Sequence, residues 1–474
     1  MSADRRRVPR HIWPLAISLL VMVWPLLTTG RDAPAAGLED KPRDAALSDG
    51  DPSPCPIESA PETPLSLARA VDLAFCNNPQ IRGAWANIRE QAAAVGQARA
   101  AWWPSASVTV SEVNDRNGYP GSPVPATART DKTVYGSVGL HLFDFGGRAA
   151  TLHSAEALLG AALASRDATI QTVLISVVQA YFDAVTAKGL SDNKNEDEVL
   201  ARSTLESAQR KLSHGAGAQS DSLQASTAFA KISLDKNRAN ATYEKALASL
   251  VYSLGLSAGT PLSLAADVDA RTSSEEQDLA MWLRNAERAH PAIVAARAVV
   301  DAARFQVQSA RAAGRPTIDL AANYYRNGFP GQGLANATST VTTIGISITV
   351  PLFDGFATRY KVRGAEANVK VKEAELQDIE HATLMQIVKA YSDAQSSFRN
   401  LRVSEELLLS AQESLQSSQR RYGNGAADIL ELLNTQAALS DARGERVRCL
   451  AEWRAARLLL MASAGLLNEA TVQK

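Results

Sequence analysis

Residues 387–434 read IVKAYSDAQSSFRNLRVSEELLLSAQESLQSSQRRYGNGAADILELLN. Apolar positions recur in steps of four and three: Ile387, Tyr391, Ala394, Phe398, Leu401, then Leu408, Leu415 and Tyr422. That spacing keeps one narrow seam on one side of a helix, as in a coiled coil. No glycine or proline interrupts the chain from Ala365 to Tyr422. Gly423-Asn424-Gly425 then stops the helix, because Gly and Asn tolerate the left-handed backbone of a helix end. Asp428 stands as an early-turn acid for a return helix, which Ile429, Leu430, Leu432, Leu433 and Leu439 carry back. A helix over 357–422 would be about 100 Å long at 1.5 Å per residue. An ordinary globular domain needs nothing so tall.

The same object occurs twice. At an offset of 212, Pro79 meets Pro291, Ala98-Arg99-Ala100-Ala101 meets Ala310-Arg311-Ala312-Ala313, and Pro104 meets Pro316. At an offset of 210, Arg116-Asn117-Gly118-Tyr119-Pro120-Gly121 meets Arg326-Asn327-Gly328-Phe329-Pro330-Gly331. Leu142-Phe143-Asp144 likewise meets Leu352-Phe353-Asp354, and Gly215 meets Gly425. Solenoid repeats run at roughly 20 to 50 residues, so a period near 210 is a duplicated half-molecule. The halves are expected at 65–256 and 277–464, with a linker or equatorial element at 257–276 and a tail at 465–474.

Residues 1–35 read as a cleavable secretory signal: Arg5, Arg6, Arg7 and Arg10, an apolar core from His11 to Leu27, then Ala33-Pro34-Ala35. The core is shorter than the ~20 residues of a spanning anchor. No later segment reads as a transmembrane helix. Removing 1–35 takes five Arg and two Asp from 49 basic and 50 acidic residues, leaving 44 against 48. That balance carries no nucleic-acid footprint. Residues 36–64 form a Pro-, Asp- and Ser-rich disordered lead-in. Among Cys55, Cys76 and Cys449, a Cys55–Cys76 disulfide and separate thiols both remain open.

A first helix is expected over 65–103, ended by Pro104; Pro316 stands at the matching place. The period then changes to two. Val134, Gly136, Val138, Leu140 and Leu142 alternate with Tyr135, Ser137, Gly139 and His141, and 105–113 is a weaker partner. In the second half Ile318, Leu320, Ala322 and Tyr324 share one face, as do Ile344, Ile346, Ile348 and Val350. Strands of about ten residues with this alternation fit transmembrane β-strands. Four strands cannot close, and open edges cannot sit in lipid; three chains would supply twelve. Long helices over 148–212 and 357–422 and return helices over 220–256 and 426–464 complete each half. The expected fold is an internally duplicated α+β membrane protein. Its trimeric 12-stranded transmembrane β-barrel, four strands per chain, continues into a long α-helical barrel.

This order is similar to the TolC family of outer-membrane export channels over about 65–464. The most specific pieces are the duplicated Leu-Phe-Asp and the tip sequence from Arg421 to Asn434. Within the family the chain looks most like the outer-membrane components of adenylate cyclase-haemolysin secretion. The resemblance implies a homotrimer spanning outer-membrane lipid, with periplasmic tips meeting an adaptor and an inner-membrane ABC transporter driving a protein cargo through a type I system. It implies no cofactor. It places Glu431 in a selectivity ring that should favour cations. Asn434 stands where a second acid is usual, which puts a second ring in doubt. Tyr422 and Asp221 match a tip-closing pair, and Ala427 falls where a bracing Arg is usual. Gly215, Gly217, Gly423 and Gly425 belong to the tip turns that close and dock.

None of the six histidines has metal-ligand spacing, and no phosphate loop or nucleophile elbow occurs. Asp144 and Asp354 are read as barrel-to-helix junction residues, not a catalytic pair, since Asp commonly caps helices. Tyr119 and Phe329 are read as turn residues. Three other functions compete with this one: a duct for small toxic molecules, a coiled-coil surface structural protein, and a periplasmic enzyme. The duplicated β-hairpins count against the second, and the missing active-site constellation counts against the third.

Overall fold

The computed structural model describes residues 64–265, 278–327 and 339–466, apart from Tyr119, Ser122 and Val124. The expected signal, the lead-in up to residue 63, the linker after residue 265, the turn residues Tyr119 and Phe329 and the tail beyond residue 466 lie outside them. Cys76 is disulfide-bonded and Cys449 is free and buried; Cys55 lies outside the described residues.

The elements run α1 (Leu67–Asn77), α2 (Pro79–Ala100), β1 (Ser105–Asn117), β2 (Thr127–Phe143), α3 (Gly147–Ser213) and α4 (Gln219–Ser253). The second half repeats them as α5 (Leu279–Ala289), α6 (Pro291–Ala312), β3 (Thr317–Arg326), β4 (Thr340–Thr349), α7 (Ala357–Gly423) and α8 (Ile429–Ser463). Corresponding helices have equal lengths: 11, 22, 67 and 35 residues in each half. The duplication is therefore structural as well as sequential.

The single helix expected over 65–103 is two. Asn78 is extended, and its side chain accepts the Gln80 N–H at 2.8 Å. Pro79 opens α2, where its missing N–H costs nothing. His290 and Pro291 repeat the break, with His290 Nδ1 accepting the Ala292 N–H at 3.3 Å.

The apolar seam of α7 faces the core, with Ile387, Leu401, Leu415 and Tyr422 buried and Tyr391, Ala394, Phe398 and Leu408 half-buried. Ile387 packs with Trp282, Ala286 and Leu460; Leu401 with Cys449 and Trp453; Leu415 and Tyr422 with Ile429, Leu432 and Leu439. A larger cluster gathers Leu174, Val177, Val178 and Tyr181 of α3 with Leu250, Leu254, Leu65 and Leu264. Leu65 and Leu264 also form a parallel bridge that ties the segment just before α1 to the link between halves. One correction follows from this cluster. α3 contains a stretch apolar enough, by length and composition, to cross a membrane. Its buried side packs against α1, α2 and α4 in this cluster.

The two helical hairpins meet where α3 passes α8. A Cβ on Gly189 would lie 2.7 Å from Val447 Cγ1, so only glycine permits that approach. Nearby, Asp197 of α3 accepts from Lys194 Nζ at 3.1 Å and from Ser440 Oγ of α8 at 2.5 Å. Gln436 donates to Thr204 at 2.7 Å.

The strands form one antiparallel sheet in the order β1-β2-β3-β4, so the two hairpins are neighbours. The pairings Val108↔Gly136, Gly136↔Tyr324, Leu320↔Ile346 and Ile318↔Ile348 put the expected apolar residues on one face. That face is uncovered: Val108 and Val110 are 71% and 72% exposed, and Ile344, Ile346 and Ile348 are 72%, 66% and 65% exposed. The opposite face is polar. Ser107 and Ser137 hydroxyls are 2.8 Å apart, Tyr135 donates to Asn323 at 3.0 Å, and His141 pairs with Asp319. Among the described residues, β1 and β4 each keep one edge unpaired.

Candidate functional site

Both helical hairpins reverse in the same way. At the first tip, Gly215 N–H reaches Leu212 O at 3.0 Å and Ala216 N–H reaches Lys211 O at 2.8 Å. At the second, Gly425 N–H reaches Tyr422 O at 3.2 Å and Ala426 N–H reaches Arg421 O at 2.8 Å. Gly215 and Gly425 have φ of 70° and 74°, the left-handed conformation that makes them glycines. Gly423 does not break the helix; it is the last residue of α7, and the reversal falls on Gly425. Gly217 is held for space, since a Cβ there would lie 3.0 Å from Lys211 Cβ. Asp428 caps α8, accepting the Glu431 N–H at 2.8 Å.

Tyr422 is buried under the second turn. Burial pushes its hydroxyl pKa up, and the charge of Asp221 adds to that rise. Among the described residues the hydroxyl makes no hydrogen bond to Asp221; the two act on each other through charge. The partner of Tyr422 is Lys211, whose ammonium lies 3.8 Å from the ring centroid and donates to the Tyr422 carbonyl at 2.6 Å. The Tyr422 carbonyl already accepts the Gly425 N–H of the turn, and the long lysine stem from the other hairpin adds a charged donor to it.

Glu431 and Asn434 line one shallow depression beside the second turn. Asn434 carries no charge there. The Glu431 carboxylate accepts from Arg421 Nη1 at 2.8 Å and from Ser418 Oγ at 3.2 Å, both on α7. It is therefore compensated within its own chain, which the reading of a bare acidic ring did not include. Sequence reasoning passed over Lys211, Ser418 and Arg421. A signal existed, since Arg210-Lys211 and Arg420-Arg421 are basic doublets at the same place in both repeats. Cations also suit the negative end of a helix dipole.

At the other end of the long helices, Pro104 and Pro316 precede β1 and β3, and Asp144 and Asp354 follow the strand ends. Neither Asp occupies the helix cap itself; Gly146 and Phe356 do. The carboxylates still reach the first turn. Asp144 accepts the Arg148 N–H at 2.6 Å, and Asp354 the Thr358 N–H at 2.8 Å. The Thr358 hydroxyl and N–H hold the Asp354 carboxyl below its ordinary pKa. Arg148 fans back to the carbonyls of His141 and Ala101 at 2.7 and 3.2 Å and stacks 4.3 Å over Trp102. Each junction places one phenylalanine in left-handed backbone, Phe145 and Phe356. Their rings rest against Phe143 and Phe353, 4.8 and 5.6 Å between centroids.

Among the described residues no group of three or more His, Cys, Asp or Glu could hold a metal. Cys449 is no nucleophile candidate, because burial pushes its thiol pKa up.

The family model described as outer membrane efflux protein matches residues 70–256 and 282–466, one span in each repeat. Protein CyaE of Bordetella pertussis is 34% identical over 419 residues, covering 88% of each chain. Alkaline protease secretion protein AprF of Pseudomonas aeruginosa is 26% identical over 308 residues, 64% of this chain and 63% of that one. The CmeC outer membrane channel of Campylobacter jejuni superposes with a TM-score of 0.74 at 16% identity, over 94% of this chain and 96% of that one. With its duplicated helical hairpins, its four-stranded sheet and a family match spanning both repeats, the chain belongs to the outer membrane efflux protein family.

Proposed function

We propose that three copies of this chain form the outer-membrane exit duct of a type I secretion system, carrying a protein toxin of the adenylate cyclase-haemolysin type. One observation carries the duct: a four-stranded sheet with an uncovered apolar face, a polar opposite face and two open edges, joined to 67-residue helices. Lipid would cover the apolar face, and neighbouring chains would close the edges, since no open edge survives in hydrocarbon. β4 of one chain meeting β1 of the next keeps the alternation antiparallel all round. The helices then extend the duct into the periplasm. The protein is a channel and not an enzyme.

The preference for protein cargo rests on the likeness to CyaE and to a relative named for alkaline protease secretion. An inner-membrane ABC transporter and a periplasmic adaptor complete the machine, the adaptor docking at the turns around Gly215, Gly217, Gly423 and Gly425. Lys211 and Tyr422 hold the tip closed, with Asp221 near enough for its charge to act on the Tyr422 hydroxyl, and Glu431 and Asn434 border its bore. Asp144, Asp354, Pro104 and Pro316 fix the junction of barrel and helices. Deleting the gene in its host and assaying both culture supernatant and drug sensitivity tests the cargo. Loss of a large secreted protein with unchanged sensitivity is expected. Intact secretion with raised sensitivity to small toxic compounds favours efflux, which the family's description names.

A further inference from the structure

We infer that Arg421 sets the ion selectivity of the tip by neutralising Glu431 within each protomer. The inference rests on the reading that Glu431 borders the bore.

Glu431 occupies the third position of α8, after the Asp428 cap. A Glu there commonly reaches back to the cap's own N–H. This one crosses to α7 instead. Its Oε1 takes both the Arg421 guanidinium at 2.8 Å and the Ser418 hydroxyl at 3.2 Å. Arg421 is anchored on its other side, donating from Nη2 to the Ala426 carbonyl of the turn at 3.3 Å. Among the described residues Glu431 is the one carboxylate that pairs with Arg421. Asp428 faces the opposite task, capping α8.

The bridge is half-exposed, with 55% of the Arg421 side chain and 34% of the Glu431 side chain accessible. Such a pair adds little to stability. Its electrostatic consequence is larger. Three bare carboxylates around one axis would sum their fields where the bore narrows. Three carboxylates each bridged to a guanidinium sum to no net charge, and the field of a close pair falls faster with distance than that of a lone ion. The ring is masked while the bridge is closed. A swing of the exposed Arg421 side chain, or a movement that parts α7 from the start of α8, exposes it.

The experiment is the reversal potential of the purified assembly in planar bilayers across a salt gradient, with lanthanum as the blocking probe. Wild type is compared with Arg421→Gln, Arg421→Ala, Arg421→Lys, Glu431→Gln and the Arg421→Gln/Glu431→Gln double variant. Two neutral replacements are read so that a turn disturbed by one side chain does not decide the result. Arg421→Gln and Arg421→Ala should raise the cation-to-anion permeability ratio about threefold or more, with a similar fall in the half-blocking lanthanum concentration. Arg421→Lys should keep wild-type values; Glu431→Gln leaves the guanidinium bare and should lower the ratio, and the double variant, again without net charge, should return close to wild type. If Glu431→Gln lowers selectivity and block while the neutral Arg421 variants change neither, the masking role is overturned and the placement of Glu431 stands. If no variant changes either readout, Glu431 lies away from the bore and the underlying reading fails as well.

Discussion

Lys211, near the end of α3, donates its ammonium proton to the carbonyl of Tyr422 at 2.6 Å and lies 3.8 Å from the centre of the same residue's ring. These residues are 211 positions apart, and they join the tips of the two helical hairpins. A hydrogen bond from a charged donor contributes about 1.5–3 kcal/mol, and an exposed cation–π contact about 0.5–1 kcal/mol. Lys211→Met should therefore raise the opening frequency of single channels. Tyr422→Phe should stay close to wild type, because the ring and carbonyl remain and the hydroxyl holds no bond to Asp221. Single-channel recording checks both, and a wild-type closed level in Lys211→Met would count against the clasp.

The two faces of the sheet should respond oppositely to charge. Ile346→Lys places an ammonium on the apolar face, which costs about 2–4 kcal/mol at a bilayer midplane and less toward the interfaces. Ser347→Lys, the next residue, points to the polar face and should be tolerated. Assembly of each variant in the outer membrane, measured by heat-resistant migration on gels, distinguishes them. Equal tolerance would contradict the assignment of faces.

Asp197 is almost wholly buried and ties α3 to Ser440 of α8 through a 2.5 Å bond. Asp197→Ala leaves the Lys194 ammonium without its carboxylate and should destabilise by about 1–3 kcal/mol. Ser440→Ala should cost less, as the Lys194–Asp197 pair survives. Denaturant unfolding followed by circular dichroism orders the two.

His290 gives the helical region a pH dependence. Burial holds its imidazole below the ordinary value, and the ring accepts the Ala292 N–H in its neutral form. As pH falls below about 6.5, the ordinary histidine value, the unfolded chain takes up a proton that the folded chain refuses. Stability therefore falls with pH from there down to the lowered folded value, and is unaffected above it. His290→Asn keeps a cap of the kind Asn78 provides in the first repeat, and should flatten that slope. Melting temperature against pH for both proteins checks this.

Much of the fold was legible because its signals are periodic. The spacing from Ile387 to Tyr422 named the buried edge of α7, and the alternation of Ile344, Ile346 and Ile348 named the apolar face of β4. The break at Asn78 was overlooked although its signal was present. A residue before proline avoids the helical region, but Ala-rich helix on both sides masked it. Divergence between the repeats was harder to foresee. Arg297, Arg304 and Arg311 of α6 bridge to Glu380, Glu373 and Glu366 of α7 at 2.9, 2.9 and 2.7 Å. In the first repeat, Arg99–Glu156 at 3.5 Å is the matching rung among the described residues. Trp85 and Ala92 stand at the other two arginine positions. The site was least legible where it depends on contacts across turns. Nothing in spacing says that Glu431 leans on Arg421, or that Lys211 meets Tyr422.

Four strands per chain leave two edges open, so the proposed duct needs three copies of this chain. The decisive measurement is the mass of the detergent-solubilised protein by native mass spectrometry or light scattering. The account predicts a single species of three protomers; a monodisperse monomer would contradict it.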